Sequence, residues 1–561
     1  MTTPRFDLRS WLRWPALAAA LVALNASLTF ANVWPTPKIR WDNALSVELA
    51  AVVLLLAVAH RHARRLARVA LPAVWVILVA GHYLDVTAPG LYGRDFNLYW
   101  DSQHLGNVTA MLARDVPLWL IATAATALFT VLAVVWFGAR VALGQVAAAV
   151  ADRRARVVLG TSALLLVVAF AAAPAAGLPF SAPVTHAYAR QARFVLAMAG
   201  PGQAAPALGT SPDLDAPIDG LHGADVLVIF VEAYGAVTYD NPAFADALAP
   251  SRDALAGAAR EAGRSVVSAF VESPTFGASS WLAHLTLLTG VEVRDQYAYV
   301  ALMASGRDTL PRAFRRHGYR SVALMPGMRQ AWPEGAFYGF NEIYGREGLT
   351  YAGPSFGWWS IPDQFALARL DALELARAHR TPRFVVFPTS TTHAPFGPVA
   401  PYVDDWSTVL TPSAFDPGEV SRAMALTPDL TNLAPAYLRA MSYEFRTFAG
   451  YVREHAGDPM VVVLVGDHQP VAAVSGPGAS HEVPVHVIAS PGPVVDRLVA
   501  AGFRPGMGPQ HPPVSPLHGL VPTLLHAFAA DSGDDGAAAA DDGAGAADVA
   551  RASRQPQTHR R

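Results

Sequence analysis

Acidic and histidine side chains follow three strongly apolar runs in the part of the chain after residue 225. Glu232 comes directly after VLVIFV, and the pair Asp467 and His468 comes directly after VVVLVG. His393 lies in STTHAPF, a few residues beyond the run RFVVF. Carboxylate and imidazole are ligands of hard-to-borderline divalent metals, and a histidine nearby can exchange protons with a substrate. These residues therefore predict a divalent metal site with an acid–base histidine beside it.

A hydroxyl-rich turn lies between these segments. The stretch SPTFGASSWLAHLTLLTG, residues 273–290, contains Ser279 and Ser280 just before an apolar helical pattern. A hydroxyl at a helix N-terminus gains from the positive end of the helix dipole, which also favours a bound phosphate or sulfate, and a metal on the oxygen would activate it. A serine pair at this position is also typical of a helix N-cap. One of the two serines is the candidate nucleophile.

The elements that must position these residues form an alternating pattern. Short apolar runs are expected to be strands, and helical stretches such as 307–317 and 363–379 separate them. This alternation predicts an α/β sheet with helices on both faces, and such sheets bind ligands at the carboxyl ends of their strands. The expected strands cover residues 226–231, 265–271, 321–325, 383–390, 460–468 and 483–489.

The first third of the chain predicts a membrane domain. Of the 561 residues in the whole chain, 52% are hydrophobic and only 15% are charged, whereas roughly 25% are charged in soluble domains. A single apolar run of this size can also be a buried core helix, but five in succession favour membrane spans, each close to the ~20 residues that cross a bilayer. The five predicted spans are Trp11–Trp34, Ala44–His60, Val69–Val86, Pro117–Gly138 and Val157–Phe180.

Arginines between the spans predict the orientation. They precede the first span and crowd the second and fourth loops, which by the positive-inside rule places the N-terminus in the cytoplasm. An odd number of spans then puts everything after about residue 181 outside. The expected domains are a membrane domain (1–180), a juxtamembrane helix and linker (181–222), an extracytoplasmic catalytic domain (223–530) and a low-complexity, disordered tail (531–561).

The bulk composition excludes several classes of function. A net charge of −2 provides no basic surface for nucleic acid. The absence of cysteine excludes disulfides, thiolate metal ligands and a cysteine nucleophile.

In this order, Val231–Glu232, a hydroxyl upstream of LLTG, TTHAPF and GDH resemble the sulfatase-type branch of the alkaline phosphatase superfamily. With the preceding spans, residues 11 to about 527 resemble the lipoteichoic acid synthase group and, more loosely, the phosphoethanolamine transferases. The resemblance implies an N-terminal helical membrane domain of five spans and a C-terminal α/β domain like those of sulfatases and alkaline phosphatases. It also implies a bacterial inner-membrane protein whose catalytic domain is periplasmic or extracellular.

The resemblance further implies one divalent metal ion, with manganese as the first choice and zinc, calcium or magnesium as alternatives. Its ligands would be Glu232, the nucleophilic hydroxyl, Asp467 and His468, and His393 would meet the phosphate. Counting back from LTG by the family spacing gives Ser280, whereas counting forward from the glycine of the turn gives Ser279. We take Ser280 first and Ser279 second. Serine departs from the synthases, which use threonine.

Four further positions are implied as substrate contacts. His284 stands where the family has an acidic residue, and a position on the helix surface is its alternative. The stretch FGWWSIPDQF resembles the border of the phosphoglycerol pocket and offers Trp359, beside Trp358, and Asp363; aromatic packing under a loop is the alternative. His481, in SHEVP, stands where phosphoethanolamine transferases place a histidine near a second metal.

Three functions fit this set of residues. The first is transfer of phosphoglycerol or phosphoethanolamine from a membrane phospholipid donor to an envelope glycan or lipid acceptor, through a covalent serine intermediate. The second is a membrane-anchored phosphoesterase or sulfuric ester hydrolase. A formylglycine sulfatase is disfavoured, because Leu282 and His284 stand where its motif requires proline and arginine. The third is a sensor or scaffold with an inactive domain. The residues at all the core positions are chemically competent, which argues against this third function.

Overall fold

The computed structural model describes residues 8–33, 36–92, 96–103, 105–106, 109, 117–172, 180–199, 208–329, 332–356, 361–376, 380–476 and 478–530. The predictions for Trp358, Trp359 and the tail 531–561 concern residues outside these ranges.

The N-terminal region is built from helices with two small strand pairs. Strands β1 (Phe30–Asn32) and β2 (Ile39–Trp41) pair antiparallel, and β3 (Leu45–Ser46) pairs in parallel with β4 (Phe180–Ser181). The helices are α1 (Leu8–Ala26), α2 (Val47–Val58), α3 (Ala63–Arg68), α4 (Ala70–Tyr92), α5 (Leu98–Gln103), α6 (Leu118–Ala149), α7 (Arg153–Ala172) and α8 (Pro183–Ala199).

Three of these helices are long and apolar enough to cross a membrane: Ala70–Pro89 within α4, all of α6, and all of α7. The first predicted span is interrupted. Helix α1 ends at Ala26, and the side chain of Asn25 holds the turn that follows by donating to the Ala44 carbonyl at 2.8 Å and accepting from Ser46 N–H at 2.8 Å. The second predicted span contains only the 12-residue helix α2. A count of five spans therefore stays a prediction.

The second half of the chain folds into the predicted α/β sheet. The order of its strands is β12-β6-β11-β10-β5-β9-β7-β8, with β13 beside β6, and β11 and β12 run antiparallel to their neighbours. The strands are β5 (Asp225–Val231), β6 (Ser265–Glu272), β7 (Arg320–Leu324), β8 (Glu342–Tyr344), β9 (Arg383–Pro388), β10 (Met460–Gly466), β11 (Glu482–Ala489), β12 (Arg504–Pro505) and β13 (Ser515–Pro516).

Helices cover both faces of this sheet and form two separate hydrophobic cores. They are α9 (Val237–Asp240), α10 (Pro242–Glu261), α11 (Ser280–Thr289), α12 (Gln296–Met303), α13 (Leu310–Arg316), α14 (Gly335–Tyr338), α15 (Arg346–Leu349), α16 (Asp363–Leu370), α17 (Pro417–Ala425), α18 (Ala434–Glu454), α19 (Ala472–Ser475), α20 (Pro493–Ala500) and α21 (Leu520–Phe528). Helix α11 packs on one face with α21, and α10 packs on the other with α18. Because β5 and β10 are covered on both faces, all seven residues of each strand are buried.

Strand register brings the polar segments together. Parallel pairing places Gly466 of β10 opposite Val231 of β5, and Phe230 opposite Pro388 of β9. The residues that follow these strands therefore emerge side by side at the carboxyl edge of the sheet. Beyond β10, the short helix α19 packs against α4, one of the candidate membrane spans.

Candidate metal centre and active site

Glu232, Asp467 and His468 form a compact buried cluster at this edge. One potential ligand atom from each lies within 4.8 Å of the others. His468 Nε2 is 3.4 Å from Glu232 Oε1 and 3.7 Å from Asp467 Oδ2. Their exposed fractions are only 7%, 0% and 2%, so these ionisable groups have been withdrawn from water together.

The backbone fixes the ligands before any ion binds. Asp467 Oδ1 accepts the N–H groups of Ala233 at 2.8 Å and of His468 at 2.7 Å, which links the ends of β5 and β10. Glu232 N–H donates to the hydroxyl of Thr389, beyond β9, at 3.1 Å. Ala233 has a φ of 56°, a left-handed conformation that is uncommon for a residue with a side chain. A constrained backbone of this kind is typical of functional sites.

The donor set fits a divalent cation. Asp467 Oδ2 is fully buried and has no hydrogen-bond partner among the described residues. His468 Nδ1 lies 2.7 Å from the carbonyl oxygen of Gln469, and since a carbonyl can only accept, Nδ1 carries the hydrogen. In its neutral form, which a metal would require, the ring would therefore present the lone pair of Nε2 to the cluster, as in the usual backbone-to-histidine-to-metal arrangement.

Electrostatics at the cluster agree with a site for a cation. Burial and the charge of Glu232 raise the pKa of Asp467 to about 8. Burial alone would also raise the pKa of Glu232, but its hydrogen bond and charge interaction with His468 hold it below the usual range. The pKa of His468 is raised to about 9: burial lowers it, but Asp467 and Glu232 outweigh that effect. These opposed shifts show that the three ionisable groups interact strongly, and a bound divalent cation would favour the ionised form of both carboxylates.

Ser280 joins this cluster at the first residue of α11. Its hydroxyl donates to Glu232 Oε2 at 2.9 Å and lies 3.1 Å from His468 Nε2. Ser279, one residue earlier, is held at a left-handed φ of 68° and makes no side-chain capping bond to the helix. That backbone conformation starts the helix so that the Ser280 side chain, rather than that of Ser279, contacts the ligands.

His393 approaches from the loop beyond β9. Its Nδ1 lies 2.8 Å from the carbonyl oxygen of Ala394, so Nδ1 carries hydrogen and the ring orientation is set. Asp363, which is fully buried, braces this loop from beneath by accepting the N–H groups of Ser390 at 3.0 Å and Thr391 at 2.7 Å. The structure therefore places Asp363 as a support of the loop and outside the lining of the cavity described below.

The remaining predicted contacts divide by position. His284 lies on α11 with Nε2 3.8 Å from Asp467 Oδ2, and burial lowers its pKa to about 4, so the ring is neutral near pH 7. His481 is exposed, contacts Phe276 at a tilted angle with 5.4 Å between ring centroids, and is not brought to the cluster. Trp359 lies outside the described residues.

A cavity of about 710 Å³ opens beside Ser280. Its polar corner is formed by Glu232, His468, Ser280 and His393, and the remaining wall is mostly apolar. This apolar wall was not predicted from the sequence. It is formed by residues from several elements: Leu288, Tyr299, Met325, Met328, Trp332, Tyr338 and Phe340. No local sequence pattern marks it, because its members are far apart along the chain.

Comparison with known proteins supports the resemblance read from the motifs. Residues 285–528 match the family described as Sulfatase, so this part of the chain is a sulfatase-family domain. The match begins after Glu232 and Ser280 and includes His393, Asp467 and His468. No curated protein sequence matches the chain.

Three solved structures are similar at low identity. A protein of the alkaline phosphatase superfamily from Vibrio parahaemolyticus shares 15% identity with a TM-score of 0.34, covering 54% of this chain and 66% of its own. The lipoteichoic acid synthase LtaP from Listeria monocytogenes shares 13% identity with a TM-score of 0.33, covering 58% of this chain and 78% of its own. The phosphoglycerol transferase GacH from Streptococcus pyogenes, solved with sn-glycerol-1-phosphate, shares 12% identity with a TM-score of 0.35, covering 56% of this chain and 78% of its own. The chain thus spans just under two thirds of the Vibrio protein's length.

Proposed function

We propose that the protein transfers a phospho-alcohol group, phosphoglycerol or phosphoethanolamine, from a membrane phospholipid to a glycan or lipid of the cell envelope. The observation that carries the proposal is the position of Ser280. Its hydroxyl lies at a helix N-terminus within hydrogen-bond distance of both Glu232 and His468. The helix dipole and the adjacent cluster suit a nucleophile that attacks an anionic ester.

Glu232, Asp467 and His468, with the oxygen of Ser280, would hold one divalent cation, and manganese is our first choice. When bound, the ion supplies charge stabilisation at the phosphoryl oxygens. Two features of this chain suit a divalent cation. Asp467 Oδ2 has no hydrogen-bond partner among the described residues, and the contact of His468 Nδ1 with a carbonyl directs Nε2 toward the cluster.

In the first half-reaction, Ser280 Oγ forms a bond to phosphorus while its proton leaves toward Glu232 Oε2. The bond between phosphorus and the diacylglycerol oxygen breaks, and that oxygen takes a proton from Nε2 of His393. In the second half-reaction, the hydroxyl of the acceptor attacks the same phosphorus and gives its proton to Nε2 of His393. The bond between phosphorus and Ser280 Oγ breaks, and Oγ takes its proton back from Glu232 Oε2. Donor alcohol and acceptor ester are the net products, and the serine is restored.

Membrane helices support a lipid donor, because such a substrate must be met at the bilayer surface. The three long apolar helices are consistent with this. The proposal includes five spans and a catalytic domain on the outer side of the bacterial inner membrane.

A membrane-anchored phosphoesterase or sulfuric ester hydrolase is the second candidate, and the match to the Sulfatase family favours it. It would use the same residues with water as the acceptor.

The test is mass spectrometry of the detergent-solubilised full-length protein after incubation with manganese and either phosphatidylglycerol or phosphatidylethanolamine. We expect a phosphoglycerol or phosphoethanolamine adduct on Ser280. The variant Ser280→Ala should lose the adduct and at least about a thousandfold of the turnover. Ser279→Ala is the matched control and should form the adduct. An adduct on Ser279 would refute the assignment of the nucleophile, and turnover of simple phosphodiesters or sulfate esters without any adduct would favour the hydrolase.

A further inference from the structure

The cavity beside Ser280 extends along one face of helix α11. Ser280, His284 and Leu288 all line it, at intervals of four residues. Residues at this spacing share one side of a helix. The cavity therefore continues from the nucleophile, past the ring of His284, to an apolar end about two helical turns away.

The apolar end is built from the loop after β7 and the segment around α14. Met325 and Met328 come from the loop, and Trp332 and Tyr338 pack together with 5.2 Å between ring centroids. Burial raises the pKa of Tyr299 to about 12, so its phenol is uncharged at neutral pH. Among the described lining residues there is no arginine or lysine, and Glu232 is the single carboxylate. This end offers no charge that would recognise a second phosphate.

The cavity is also close to the membrane helices. Val471 lines it, and the next four residues form α19, which packs against α4. Helix α4 contains one of the three segments able to cross a membrane. An apolar cavity next to such a helix can receive hydrocarbon with little exposure of that hydrocarbon to water.

We propose that the apolar part of this cavity binds hydrocarbon of the donor lipid, so that the site recognises an acyl chain as well as the phosphate ester. This inference rests on the proposed function, since it identifies the occupant beside the same nucleophile. A volume of about 710 Å³ has room for a head group and a stretch of chain. The two methionines suit a flexible chain, because unbranched thioether side chains adapt to the shape of their ligand.

The experiment uses the full-length protein in detergent with manganese and three water-soluble donors that share one head group. They are the deacylated glycerophosphodiester, its dibutanoyl ester and its dihexanoyl ester, each below its micelle concentration. We expect kcat/KM to rise about fourfold for each methylene that enters the cavity. Met328→Ser should reduce the ratio of dihexanoyl to deacylated kcat/KM at least tenfold. Met424→Ser, a half-buried methionine outside the cavity, should retain the wild-type ratio.

Equal kcat/KM values across the wild-type series would overturn the inference, and so would a Met328→Ser protein with the wild-type ratio. Preference for a small aryl phosphodiester without any dependence on chain length would assign the cavity to an aromatic group instead. If Met328→Ser does not fold, Met325→Ser provides the second variant, and the wild-type series remains decisive by itself. Failure of the proposed function gives a different result: no donor of the series would form an adduct on Ser280. Adducts that form equally fast with all three donors would refute only the hydrocarbon site.

Discussion

Two buried aspartates near the carboxyl edge of the sheet differ in the hydrogen bonds that their carboxylate oxygens accept. Asp467 follows β10, and Asp363 supports the loop after β9, so they lie on either side of β5 and are both fully buried. Asp363 accepts hydrogen bonds on both oxygens from the backbone and side chains of Ser390 and Thr391. Asp467 has two backbone donors on Oδ1, and no described residue donates to its Oδ2.

This difference separates a ligand from a support. Burying a polar atom without a partner costs free energy, so an orphaned carboxylate oxygen is expected where the group binds a cation or holds a proton. A carboxylate whose acceptor sites are filled has no capacity left for an ion or a substrate and instead fixes the groups that donate to it. Residue type alone does not distinguish Asp467 from Asp363, whereas the donors around each oxygen do.

Replacing Asp467 tests whether this aspartate is a metal ligand and should have the larger effect of the two replacements. Asp467→Asn should remove the manganese-induced rise in unfolding temperature and lower turnover by about a thousandfold or more, because the metal would lose a charged ligand. With a chelator present, the variant should be at least as stable as the wild type, since an uncompensated buried carboxyl is gone. Thermal unfolding with manganese and with EDTA, beside a turnover assay, measures both effects. A variant that still responds fully to manganese would show that Asp467 is not a ligand.

Replacing Asp363 should give the reverse pattern. Asp363→Asn turns an acceptor oxygen into an N–H donor that faces the N–H groups of Ser390 and Thr391, so we expect a loss of about 3 kcal/mol of unfolding free energy. Displacement of the loop that carries His393 should lower kcat by about ten- to a hundredfold. The manganese-induced stabilisation should remain. If manganese no longer stabilises the folded variant, Asp363 and Asp467 belong to one functional unit and the comparison fails.

The sequence was most informative where the relevant signal is local. Each of the strands β5, β6, β7, β9, β10 and β11 is an apolar run that is visible by itself, and their register brings Glu232 and Asp467 together. The sulfatase-family match confirms the predicted family. The choice between Ser279 and Ser280 could not be made from spacing, because the position at which α11 begins depends on the left-handed backbone of Ser279.

Long-range features were not predictable from the sequence. Asp363 bonds to residues 27 and 28 positions further along the chain, and nothing in PDQF indicates those partners. The apolar end of the cavity combines residues from α11, α12 and the segments after β7, which converge only in the folded sheet. In the first predicted span, hydrophobicity continues beyond Ala26, but hydrogen bonds from Asn25 across the turn end the helix. A window of hydropathy does not include partners that are 19 and 21 residues away.

Replacing Glu444 should have a smaller effect, a change in how stability depends on pH. Glu444 lies fully buried next to Asp363. Burial and the charge of Asp363 raise the pKa of Glu444 well above its usual value, so its carboxyl is neutral near pH 7. Because the folded state binds a proton that the unfolded state releases above about pH 4.3, this group's contribution to stability is complete below that pH and declines as the pH rises. Glutamine keeps the size and the ability to donate to Asp363, but it does not titrate.

Glu444→Gln should therefore match the wild type near pH 4 and become progressively more stable than the wild type as the pH rises toward about 8. Thermal unfolding of the two full-length proteins across this pH range, with Glu419→Gln on the exposed helix α17 as the control, measures the difference. The control should follow the wild-type curve, because Glu419 is 51% exposed and its ion-pair partner Arg422 is 73% exposed. A constant difference in unfolding temperature between Glu444→Gln and the wild type at every pH would mean that Glu444 stays ionised. Asp363 and Glu444 would then be two adjacent buried carboxylates, both ionised. The brace under His393 would in that case need the same explanation as the metal cluster, a bound cation, and the contrast between the two aspartates would disappear.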